Sequence, residues 1–106
     1  MSRGVVKKWT TYFNKGDVFS LVNLYSNDAI LVPSLSYDTC YDRAQMTNYF
    51  FNLRGGLVKV NEMNKYDNIL TGNYTLHYMG KSRNSKFKII LERENKIIYH
   101  YTSLIK

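Results

Sequence analysis

Two hydrophobic periods divide this chain at Gly56, and they do not mix. Before Gly56 the apolar residues recur at helical spacing. Val5, Val6, Trp9, Tyr12 and Phe13 fall at i, i+1, i+4, i+7 and i+8, one face of a helix. Trp9 shares that stripe and is expected to be largely buried. Asn14-Lys15-Gly16 ends the helix, with Gly16 able to take a left-handed C-cap. Asp17 reads as the N-cap of a second helix whose face is Val18, Leu21, Val22 and Tyr25, broken by Asn27-Asp28. Residues 29–32 read as a short buried strand, closed by Pro33, which has no N–H for a ladder. Residues 34–41 form a polar-aromatic loop. Asp42 and Gln45 have the spacing of a capping box and open a third helix, whose face is Met46, Tyr49, Phe50 and Leu53. Gly55-Gly56 ends it.

After Gly56 the period is two. Strands are expected over 57–63, 68–79, 85–93 and 97–105, with Tyr74, Leu76 and Tyr78 alternating against Asn73, Thr75 and His77. Residues 80–84 read as a turn. Glu94-Asn95-Lys96 is short enough to force an antiparallel hairpin. Helices first and a strand meander second imply an α+β fold, with the helices on one face of an antiparallel sheet. A chain of 106 residues without repeat or linker reads as a single domain, 1–106.

Composition narrows the function classes. The longest apolar run is four residues, residues 29–32, so no membrane partner is expected. The N-terminal segment lacks the apolar core of a signal peptide, and the chain has one cysteine, Cys40, so a cytoplasmic location is expected. One cysteine and two histidines, with no metal-ligand spacing, lead us to expect no metal and no cofactor. Net charge is +7, of which residues 51–106 carry +6, from ten Lys/Arg against four Asp/Glu. That excess suits a solvated basic face, an anionic ligand or nucleic acid. Nucleic acid rests on charge alone, since no helix-turn-helix or RNP string is present, and it is the least favoured partner. Ten tyrosines, apolar in body and polar at the tip, suit pocket walls and subunit interfaces.

Several strings in order resemble the nuclear-transport-factor-2-like fold, also called cystatin-like: a curved sheet wrapped as a cone around a pocket. They are Lys15-Gly16-Asp17, Leu24-Tyr25-Ser26-Asn27-Asp28-Ala29, Leu31-Val32-Pro33-Ser34-Leu35-Ser36, Tyr49-Phe50, Thr71-Gly72-Asn73-Tyr74-Thr75 and His100-Tyr101-Thr102-Ser103. Together they are most similar to the branch that holds the association domain of calcium/calmodulin-dependent kinase II and its small SnoaL-like relatives. Lys86 stands where that branch has an Arg. It keeps the charge and loses the fork that grips a carboxylate. Tyr101 stands where the branch has a second His.

The resemblance implies a pocket inside the cone, for which the candidate ligand-binding residues are His100, Lys86, Tyr74, Tyr49 and Tyr37. His100 shares a strand face with Ile98, Thr102 and Leu104. It reads either as a buried neutral group bonded to backbone or Tyr, or as a pocket group that binds an anion or moves a proton. Lys86 and Lys88 share a face that is either solvent or the mouth of the cone. Acids are scarce in the strands, which weighs against acid–base catalysis. The expected role is a non-catalytic association and small-ligand-binding domain, a homodimer or higher oligomer, with a small anionic or aromatic ligand. The alternative is a SnoaL-like isomerase, cyclase or hydrolase with His100 as its catalytic residue.

Overall fold

A computed structural model describes residues 3–34 and 38–105. The order is α1 (Arg3–Lys15), α2 (Val18–Val22), β1 (Tyr25–Val32), α3 (Arg43–Asn52), β2 (Leu57–Tyr66), β3 (Ile69–Tyr78), β4 (Lys81–Leu91) and β5 (Ile97–Leu104). All helices precede Gly56, and everything after it is one antiparallel run, as the change of period predicts. The capping chemistry is present as well. Asp17 accepts from the Ser20 amide at 3.2 Å and Asp42 from the Gln45 amide at 2.8 Å. Gly16 sits at φ +72°, where an L side chain would be strained.

The five strands form one sheet in the order β1-β5-β4-β3-β2. Its one parallel pair is β1 with β5, so the sheet is not wholly antiparallel. Residues 25–32 and 97–101 meet there, and no local turn connects the two strands. Helix α2 is shorter than the sequence suggests. It ends at Val22 with Asn23 as C-cap, and Tyr25 begins β1 instead of closing the helix face. Residues 80–84 are mostly strand. Met79 and Gly80, both at positive φ, make a two-residue turn between the paired Tyr78 and Lys81.

The inner face of the sheet packs on α1 and α3. In β4 the odd positions Ser85, Phe87, Ile89 and Leu91 are buried, and Lys86 and Lys88 between them are exposed. In β5 the register slips between Leu91/Ile97 and Ile90/Tyr99. That bulge turns Ile97 into the core and leaves Ile98 38% exposed, so Ile98 does not share the face of His100 and Thr102. A second bulge lies in β2, between Val60 and Glu62. Beside it, a Cβ on Gly72 would lie 2.0 Å from the Glu62 carbonyl oxygen and 2.9 Å from the Phe87 ring. The sheet bends over its own inner face at this point, and only a residue without a side chain fits.

Each outer edge of the sheet is bonded by a neighbouring segment. On β2, the Asn14 amide nitrogen donates to the Val58 carbonyl at 3.0 Å, and the Val58 amide donates back to Asn14 Oδ1 at 2.7 Å. On β1, Leu31 and Cys40 exchange backbone bonds of 3.0 and 2.8 Å. Cys40 is thereby a buried structural residue, and burial pushes its thiol pKa up. No helix among the described residues is long and apolar enough to cross a membrane.

Candidate functional site

His100 lies on the inner face of β5 and is 4% exposed. Tyr25, the first residue of β1, stacks against it, and Trp9 of α1 meets its ring edge-on at 5.8 Å. Trp9 Nε1 lies 2.9 Å from Tyr25 Oη, and Tyr25 Oη lies 2.8 Å from His100 Nδ1. The indole N–H can only donate, so Tyr25 Oη accepts it and turns its own proton toward Nδ1. His100 is then the neutral tautomer with its proton on Nε2. Burial favours the same state: it lowers the His100 pKa to about 3, and it raises the Tyr25 phenol above its ordinary value. Trp9 itself is only half-buried, less than its stripe predicts.

A neutral buried histidine has a stability signature. Its folded pKa lies below the unfolded value of 6.5. Between those values the unfolded chain holds a proton that the folded chain does not. Stability is therefore complete above about pH 6.5 and is lost as pH falls toward 3. We expect urea unfolding to lose roughly 3 kcal/mol between pH 7 and pH 4, and His100→Gln to flatten that slope. An equally steep slope in the variant would assign the loss to other groups.

The interior around His100 is filled. Two voids of about 20 Å³ flank it, each with room for about one water, far below the roughly 300 Å³ of a small-ligand pocket. Trp9, Phe13, Phe50, Tyr74 and Phe87 take up the space. No Asp or Glu lines either void among the described residues. Of the candidate residues, Tyr74 and Tyr49 do meet His100 at the second void. Burial raises the Tyr49 phenol pKa, so it stays a protonated donor. Lys86 does not join them. It pairs with Ser103, is exposed on the outer face, and cannot reach an inner-face histidine through the sheet. Lys88 lies beside it on that outer face. Tyr37 lies outside the described residues.

A larger space opens at the rim. Between the last turn of α3 and the β3–β4 hairpin is a cleft of about 610 Å³, lined by Tyr49, Leu53, Leu76 and Tyr78 and by the cations Lys81 and Arg83. The sequence reading missed those cations by assigning residues 80–84 to a turn. Lys81 and Arg83 continue the odd phase of Ser85, Phe87, Ile89 and Leu91 back to the hairpin. That phase, extended two steps toward the N-terminus, would have placed them on the inner face.

No family model and no curated protein matches the sequence. Solved structures do match it in shape. One is a nuclear-transport-factor-2-like protein of unknown function from Cytophaga hutchinsonii, with a TM-score of 0.86 at 12% identity, over 99% of this chain and 90% of that one. Another is a calcium/calmodulin-dependent protein kinase II association-domain-like protein from Xanthomonas campestris, with a TM-score of 0.83 at 23% identity, over 97% and 84%. A third is the epoxide hydrolase/cyclase-like enzyme SalBIII, with a TM-score of 0.86 at 14% identity, over 98% and 90%. The chain has the nuclear-transport-factor-2-like fold. Proteins of this shape include both association-domain-like and enzyme-like members, so the shape by itself does not choose between those roles.

Proposed function

We propose that this chain is a non-catalytic association domain that pairs with a second copy through the outer face of its sheet. One observation carries the reading. Ile30, Tyr99, Ile90, Ile69 and Tyr66 stand opposite one another in a row that crosses all five strands on that outer face. Val32 and Tyr101 extend it in the next row, beside Lys88. A contiguous apolar row on a solvent face is the usual mark of an interface. Five strands at about 4.8 Å spacing offer an area on the order of the ~800 Å² per partner that a stable interface buries. Lys86 and Lys88 flank the row, where a two-fold axis can keep like charges apart. Light scattering at micromolar concentration should give twice the 12.5 kDa chain mass. Ile90→Glu should return a folded monomer, because two copies of that carboxylate would be buried at the centre of the pair. A single-chain mass for the unaltered protein would overturn the reading.

The Tyr25–His100 pair favours a second reading, a SnoaL-like isomerase, cyclase or hydrolase. The absence of an acid beside the two voids, among the described residues, weighs against it. A turnover abolished by His100→Ala in a folded protein would establish it.

A further inference from the structure

We propose that the rim cleft is a binding site for a small aromatic molecule carrying a dianionic group, with an aryl phosphate monoester as the ligand chemistry. The cleft of about 610 Å³ falls within the roughly 300–1,000 Å³ of small-molecule sites. Its composition is divided. Tyr49, Leu53 and Leu76 give an apolar wall, and Tyr78 is held in place by its hydroxyl bond to the Asn52 carbonyl at 2.5 Å. Lys81 and Arg83 stand beside their ladder partners Tyr78 and Leu76, two residues apart on the inner face of β4 and so roughly 7 Å apart along the strand.

Neither cation's side chain has an acidic partner or a hydrogen bond among the described residues, and no Asp or Glu lines the cleft. Two unpaired positive charges beside apolar walls match a doubly charged head on a ring. A phosphate monoester carries about −1.5 to −2 at neutral pH, whereas a monocarboxylate would leave one cation unmatched. The Arg83 fork can hold two phosphate oxygens at once, and Lys81 serves as a point charge on a third. The ring would lie against Tyr49 and Leu53. Tyr49, Leu53 and Leu76 also line the void beside His100, so they wall the cleft off from the interior and keep the ligand at the rim. The outer face of the sheet takes no part, and the site stands whether or not the chain pairs.

The test is a calorimetric titration of the full chain with 1-naphthyl phosphate at physiological ionic strength, beside 1-naphthoate, 1-naphthol and inorganic phosphate. Saturable binding of one naphthyl phosphate per chain is expected, tighter than each of the other three. R83Q should weaken it by roughly tenfold or more, and K81Q by less, as for the loss of a charge-assisted pair. K86Q removes the same charge from the outer face and should change nothing. Amide shifts in the unaltered protein give an independent readout and should concentrate at Tyr49, Lys81 and Arg83. Absence of saturable binding would overturn the proposal, as would shifts centred elsewhere. Naphthoate binding as tightly as the phosphate would overturn the dianion assignment. Equal losses in K86Q and R83Q would reduce the effect to general attraction by a basic surface.

Discussion

Gly72→Ala should destabilise the protein by at least about 3 kcal/mol and is expected to leave much of it unfolded at 37 °C. The added methyl would lie 2.0 Å from the Glu62 carbonyl oxygen, which belongs to the backbone of the neighbouring strand. A side chain in that place could turn away, but a ladder carbonyl cannot move without shifting β2. The Phe87 ring closes the other side at 2.9 Å. Relief would need both the β2 bulge and the Phe87 rotamer to change, and each supports the bend that wraps the sheet. A urea unfolding midpoint equal to that of the unaltered protein would show that the strands do not approach this closely.

Tyr25→Phe should cost about 2–4 kcal/mol, a large effect for the loss of one oxygen. The hydroxyl serves two partners. Without it, the Trp9 indole N–H and His100 Nδ1 both lose their hydrogen bonds, and the second of these sits in the core. The ring itself is retained, so packing against Phe50 and His100 changes little. Trp9→Phe removes only the donor at one end and should cost less. Since Trp9 is the only tryptophan, its indole proton gives a single resonance to follow. Rapid exchange of that proton in Tyr25→Phe, with slow exchange in the unaltered protein, would mark the broken chain. A change of under 0.5 kcal/mol would mean that water replaces the hydroxyl at no cost.

Much of the fold was legible because it is written in local periods. The α1 stripe, the Asp17 and Asp42 caps and the alternation in β3 and β4 each need only a few neighbouring residues to be read. The misreadings share a cause in distance. Tyr25 continues the spacing of Val18, Leu21 and Val22, and only its partners in β5 and α1 show that it belongs to a strand. Ile97 and Ile98 are chemically alike, and the bulge that separates them is set by pairing with Leu91. The parallel union of β1 and β5 joins residues about 70 positions apart, and no local string encodes it. Of the candidate residues that the resemblance implies, His100, Tyr49 and Tyr74 line one small void. Lys86 comes from the resemblance, at the place where the branch has an Arg, while Lys81 and Arg83 fall in residues that read as a turn. Tyr25, the residue that ties His100 to α1, stands in one of the resemblance strings, but no local pattern reveals its bond to a histidine 75 positions on.

The pair of bonds on each flank of the sheet bears on how large an assembly this chain can build. A strand left bare on its flank would recruit another chain by the same ladder that holds the sheet, and that chain would present a bare strand in turn. Such growth has no natural end. Here the Asn14 amide stands in for a strand at Val58, and the Cys40 segment does the same at Leu31. With those positions occupied, the proposed pairing would use the broad surface of the sheet. A two-fold contact uses that surface up on both copies at once. In the proposed pair, the two contacts that disfavour edge-on growth would thus also favour an assembly that stops at two copies.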